Sequence, residues 1–182
     1  MVMSRIYVLT GTFSILAISP DSRLMGVAVA SGSTSVGDRV PYAKPGIGVI
    51  VTQAYTNTIY GTKGLELLIK GLTPQKIMNT LLEEDPEREL RQVAIMDFKR
   101  RKAIFTGINA PEYHAEIAGE DYIIIGNMLS RKEVVSSMAK KFEDSSGDLS
   151  LRMVRALEAG SKGDGDRRGE RSAALIVVDT EK

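Results

Sequence analysis

Apolar residues are concentrated in short runs, and the spacing within each run separates strands from helices. Residues 13–18 ("FSILAI") are apolar everywhere except Ser14, so a strand there needs cover on both faces. Ser19-Pro20-Asp21-Ser22 has turn chemistry, and 24–30 ("LMGVAVA") is a second apolar strand, so the short link predicts a hairpin. A small polar loop follows at 31–38 ("SGSTSVGD"), then a third buried strand at 47–53 ("IGVIVTQ"). The period then lengthens. Leu65, Leu68 and Ile69 share one face of a helix over 61–70. Thr73 followed by Pro74 caps a second helix, whose stripe is Ile77, Leu81 and Leu82 and which stops by Pro86. Segments 92–97 and 102–106 predict a hairpin turning at 98–101. Residues 122–125 ("YIII") read as a short buried strand, 130–143 and 148–160 as two further helices, and 172–179 ("SAALIVVD") as a closing apolar strand. The Gly-rich segment 160–169 reads as a flexible link.

The order is strands, two helices, strands, two helices, strand, with hairpins dominating. This is an α+β pattern with mainly antiparallel sheets. Strands apolar on both faces are satisfied by two sheets stacked together with helices outside, a four-layer αββα sandwich. A single sheet with helices on one side is the simpler alternative.

Composition narrows the chemistry. The 182 residues suit one domain, and the net charge of +1 points to no nucleic-acid partner. No apolar run is long enough to span a bilayer, and residues 1–9 are too short for a secretory signal, so a cytoplasmic location is the expectation. There are no cysteines and one histidine, His114, which excludes thiolate nucleophiles and multi-histidine or cysteine-rich metal sites. No metal or cofactor is expected. The run from Gly163 to Gly169 has the wrong glycine spacing for a dinucleotide fingerprint. The basic run 99–102 is expected to be a solvated hairpin tip, and His114 a surface or hydrogen-bonding residue. Any catalysis must come mainly from Ser, Thr, Lys, Asp, Glu, Asn and Arg.

Such residues gather at strand ends: Thr12, Ser14, Ser31, Lys44, Thr52, Gln53, Asn127, Asp166 and Ser172. Strand ends carry sites because a rigid scaffold holds them. A threonine oxygen becomes a useful nucleophile when a base adjoins it, and a free α-amino group on the same residue serves. A lysine held by a carboxylate and an amide at Asn127 would supply the electrostatics. Each residue also has an ordinary reading. Thr12 suits a strand, Ser31 a turn and Lys44 a solvated surface. Asp166 and Arg167 suit a pairing across a loop.

The blocks "TFSILAI", "GVAVASGS", "VGDRVPYAKPGIGVIVTQAYTNTIYGTKGLELL", "IIIGNML" and "GDGDRRGERSAALIVVD" resemble the domain of unknown function family 1028 from Thr12 to about Val178. That family is grouped with the N-terminal-nucleophile (Ntn) hydrolases, which have the αββα sandwich. The resemblance implies Thr12 as nucleophile, with Lys44, Asn127 and Asp166 completing a catalytic set. It implies Ser31, Gln53, Asn57, Arg167 and Ser172 as substrate-facing residues. Ser31 departs from the aspartate common at that position among the Ntn hydrolases. Members usually begin at the Thr-Phe-Ser block, so residues 1–11 are an extension: a propeptide, an added arm or a mis-called start. Residues 12–182 form the single domain. The implied function is hydrolysis of a C–N (amide) bond in a small or peptide-like substrate through an acyl-Thr12. The alternative is a non-catalytic ligand-binding or scaffold protein that retains the fold. A homodimer or higher homo-oligomer is expected.

Overall fold

The computed structural model describes residues 11–163 and 165–180; the extension expected at 1–11 lies, apart from Gly11, outside the described residues. The first hairpin forms as its two apolar runs and the polar turn between them dictate. Strand β1 (Thr12–Ile18) pairs antiparallel with β2 (Leu24–Ser31), and Asp21 and Ser19 close the turn through side-chain hydrogen bonds. Then come β3 (Pro41–Lys44), β4 (Gly48–Ala54), α1 (Ile59–Ile69) and α2 (Pro74–Glu84). Strands β5 (Arg91–Asp97), β6 (Lys102–Thr106), β7 (Ala115–Ala118) and β8 (Tyr122–Asn127) follow. The chain continues through α3 (Glu133–Asp144), α4 (Leu149–Lys162) and β9 (Ser172–Asp179). Thr73 caps α2 by accepting from the Lys76 amide, and Asp148 caps α4 by accepting from Leu151.

The strands form two sheets, ordered β7-β8-β1-β2-β9 and β3-β4-β5-β6, with every pairing antiparallel. The period-2 alternation of side chains then sorts the apolar residues into three clusters. Phe13, Ile15 and Ala17 of β1 join Ile124 of β8 and pack against Met138 and Phe142 of α3 and Met153 of α4. Leu16 and Ile18 point the other way, with Val27, Val29, Ile123 and Ile125, and meet Val49, Val51, Ala94 and Met96 of the second sheet. Ile50, Val93 and Ile95 leave the opposite face of that sheet to meet Leu68 of α1 and Ile77 and Leu81 of α2. This explains why β1 is apolar at almost every position. Each of its faces enters a different core.

Strands β3 and β7 were not anticipated from the pattern. Both are four residues long and sit at sheet edges, where one side of the backbone is unpaired and burial is partial. Short edge strands have too few buried positions to show an alternation.

Candidate active site

The register of the five-stranded sheet assembles one polar row. Thr12 pairs with Ser31 on one side and with Asn127 on the other, and Ser31 pairs with Ser172. Opposed residues in a sheet project to the same face, so Thr12, Ser31 and Asn127 share the face that carries Leu16, Val29 and Ile125. That face looks toward the second sheet. From there Gln53 and Gln92, a cross-strand pair, project back by the same alternation. A polar cluster therefore ends the apolar layer between the sheets.

The hydroxyl of Thr12 lies 3.1 Å from Ser31 Oγ. Ser31 Oγ donates to the Gly11 carbonyl at 2.5 Å and accepts from the Ser33 amide at 3.1 Å. Because the Ser31 proton is committed to Gly11, Thr12 is the donor of the pair. A second donor, Nη2 of Arg168, reaches the same Gly11 carbonyl at 3.1 Å. The carbonyl immediately before Thr12 is thus polarised from two directions.

Asp166 anchors this arrangement. Its carboxylate accepts from the Gly32 amide at 2.7 Å and from Arg168 through N at 2.9 Å, Nε at 3.0 Å and Nη2 at 2.7 Å. Burial pushes the Asp166 carboxyl up, but the hydrogen bonds from Arg168 and Gly32 outweigh it and hold the group below its ordinary value. Two glycines make room. A Cβ at Gly11 would lie 2.6 Å from Asp166 Oδ2, and one at Gly32 would lie 2.8 Å from Arg168 Nη2.

Behind Thr12 runs a buried amide network. Gln53 Nε2 donates to the Thr12 carbonyl at 3.3 Å and to Gln92 Oε1 at 2.8 Å, while Ser14 Oγ donates to Gln53 Oε1 at 2.7 Å. Gln92 Oε1 also accepts from Asn127 Nδ2 at 3.1 Å, and Gln92 Nε2 donates to the Gly126 carbonyl at 3.1 Å. Asn127 Oδ1 is buried and has no partner among the described residues. Such an acceptor is costly unless something fills it.

The structure gathers Thr12, Ser31, Gln53, Asn127 and Asp166, and places Ser172 beside them, where its hydroxyl donates to the Ser33 carbonyl at 2.6 Å. It does not bring Lys44 there. Lys44 ends β3, is exposed, and adjoins a turn whose Gly46 amide donates to the Asp179 carbonyl. Asp179 is at the opposite end of β9 from Ser172, so Lys44 is about 20 Å along the strands from Thr12. Arg167 stacks on Tyr113 at 4.9 Å, and it is Arg168 that pairs with Asp166. Asn57 lies beyond β4, bonded to Asp85 at 3.3 Å, and lines a separate cavity. Arg168 and Gln92 take part in the site but carry no sequence signal: one is the second of two adjacent arginines, the other sits between Arg91 and the apolar run of β5.

The model of a family of unknown function, DUF1028, matches residues 12–182. A crystal structure of a Silicibacter pomeroyi protein assigned to the same family superposes with a TM-score of 0.86 at 32% identity, covering 93% of this chain and 76% of that one. A structure titled Thiobacillus denitrificans BPH in complex with epoxomicin superposes at 0.47 with 11% identity, covering 93% of this chain and 100% of that one. No curated protein matches the chain. The chain belongs to the DUF1028 family.

Proposed function

We propose that this member of the DUF1028 family is a hydrolase of the N-terminal-nucleophile type, acting on a C–N amide bond of a small or peptide-like substrate with Thr12 as nucleophile. The observation that carries the reading is the Gly11–Thr12 junction. A threonine hydroxyl follows a carbonyl that accepts from both Ser31 Oγ and Arg168 Nη2. Those two donors favour negative charge on the Gly11 oxygen. Attack of Thr12 Oγ1 on the Gly11 carbonyl carbon would transfer the acyl group from nitrogen to oxygen. Water would then cleave the ester and leave Thr12 with a free α-amine. That amine is the base the hydroxyl lacks in the intact chain, where its proton is donated to Ser31. In turnover, Oγ1 attacks the substrate carbonyl and its proton passes to the α-amine. The C–N bond breaks as the leaving amine takes that proton, and water hydrolyses the acyl-Thr12. Asn127 Oδ1, buried and without a partner among the described residues, would accept from the new amine. The same reading takes the two sheets and their outer helix pairs as the αββα sandwich of residues 12–182, with the segment ending at Gly11 as propeptide.

Two observations favour the alternative of a non-catalytic protein. Thr12 is 1% exposed, and the expected lysine is remote. Intact-mass analysis and N-terminal sequencing separate the two readings. The hydrolase reading expects a product beginning at Thr12, its absence in Thr12→Ala, and hydrolysis of a chromogenic amide panel only by the processed form. A chain that stays whole and inert on the panel overturns it.

A further inference from the structure

In the intact chain Thr12 has no free α-amine, so its hydroxyl proton must go elsewhere when Oγ1 attacks the Gly11 carbonyl. The surroundings narrow the choice. Thr12 is 1% exposed, which keeps bulk water from the hydroxyl. Lys44 is remote. The Asp166 carboxylate already accepts from Gly32 N and from Arg168 N, Nε and Nη2, and those bonds make it a weak base. Gln53 and Gln92 are amides. Among the described residues, the one hydrogen-bond partner of Thr12 Oγ1 is Ser31 Oγ, at 3.1 Å.

Ser31 is placed to pass a proton on. It is fully buried, and its hydroxyl donates to the Gly11 carbonyl at the short distance of 2.5 Å. The Ser33 amide holds it from another side at 3.1 Å. One hydroxyl thus touches both oxygens whose protonation changes: it accepts from the nucleophile and donates to the oxygen under attack. A hydroxyl can do both at once, whereas an ionised carboxylate at this position could only accept. The placement is rigid, because Thr12 and Ser31 are opposed residues on β1 and β2, two adjacent inner strands of the sheet.

We propose that Ser31 is a catalytic proton relay for cleavage of the Gly11–Thr12 bond; this rests on the reading of Thr12 as a nucleophile freed by its own chain. As Thr12 Oγ1 bonds to the Gly11 carbonyl carbon, the Thr12 proton passes to Ser31 Oγ and the Ser31 proton passes to the Gly11 oxygen. The carbonyl π electrons form the new O–H bond, and the cyclic adduct is neutral. Arg168 Nη2 remains a donor to that oxygen. Collapse re-forms the carbonyl and breaks the C–N bond, and the Thr12 nitrogen gains a proton as the adduct hydroxyl loses one. The net change moves a proton from Oγ1 to nitrogen and consumes no outside acid or base. Water then cleaves the ester.

The test starts from full chain purified under denaturant. Refolding starts the clock, and intact mass follows the product beginning at Thr12. Ser31→Ala, with its fold checked by circular dichroism, should cleave about 10²–10⁴-fold more slowly than the unmodified chain, the usual contribution of a positioned proton transfer. Ser31→Thr keeps a hydroxyl and should restore most of the rate. Two protons move in one step, so the rate of the unmodified chain should fall along a curve, not a straight line, as D₂O replaces H₂O. A serine that only supports the fold would not produce that curve. A folded Ser31→Ala that cleaves at the unmodified rate, or a straight line in the D₂O series, overturns the relay and leaves Thr12 as nucleophile. An unmodified chain that never cleaves overturns the reading of Thr12 and the relay with it. If Ser31→Ala does not fold, the D₂O series on the unmodified chain decides.

Discussion

Asp166→Asn removes one buried charge and leaves the shape of the side chain almost unchanged. Four N–H groups converge on the two carboxylate oxygens, two on each: Gly32 N and Arg168 Nη2 on Oδ2, Arg168 N and Nε on Oδ1. An asparagine offers one acceptor oxygen, so in either orientation two donors face its NH₂. Arg168 is 28% exposed on its side chain and recovers part of its loss in water. A buried backbone donor left unpaired costs about 1–3 kcal/mol. The lost pairing with a partly exposed guanidinium adds about 1 kcal/mol. The sum is about 2–4 kcal/mol, which in a chain of this size lowers the thermal midpoint by about 5–15 °C. Urea denaturation of both proteins, with unchanged m, measures the gap directly. The gap must also depend on pH in a fixed direction. The carboxyl is held below its ordinary value of 3.8, so the unfolded chain takes up the proton first. The charge-dependent stability is present above that value and is lost as pH falls through the native one. The variant has no such titration, so the difference narrows on acidification. Coincident midpoints near neutral pH, or a gap that stays constant into acid, refute the account of Asp166 as the ionised anchor.

Three further expectations test other parts of the structure. Gln92→Leu strips partners from Gln53 Nε2, Asn127 Nδ2 and the Gly126 carbonyl at once, and should cost about 2–4 kcal/mol by chemical denaturation; a neutral result means that water replaces the network. Gly107→Ala places a Cβ 2.3 Å from the Glu89 carbonyl oxygen, a backbone atom that cannot swing aside. It should lower stability by about 1–3 kcal/mol, and an unchanged melting curve contradicts the packing there. The Tyr122 phenol, buried and donating to Glu143 Oε1 at 2.6 Å, is pushed up from 10.0 to about 12. Absorbance titration should therefore show its phenolate late, with stability falling as pH rises between those two values; ionisation at the ordinary value refutes the contact.

Much of the fold was legible because its causes are local. The segments 102–106 and 172–179 match β6 and β9, and 24–30 ends one residue short of β2, since alternation and turn chemistry act over a few residues. The short edge strands β3 and β7 escaped because an edge buries too little to impose a pattern. The site divides along the same line. Strand ends and the family resemblance pointed to Thr12, Ser31, Asn127 and Asp166; the strand register brings the first three together, and the Gly32 amide holds Asp166 beside them. Lys44 also ends a strand, but at the far end along the strand direction, and nothing in its neighbours says which end.

Sequence alone determined where the helices and the longer strands fall, that the first strand needs apolar cover on both faces, and which chemistries the missing cysteines and single histidine forbid. Tertiary structure alone decided that Arg168 and not Arg167 meets Asp166, that Gln92 bridges the two sheets, and that Lys44 lies far from Thr12. The reason is physical. Secondary structure follows from interactions a few residues apart. A site is made where strands distant in sequence end side by side, and which of two adjacent side chains points inward depends on loop backbone angles that no periodicity encodes.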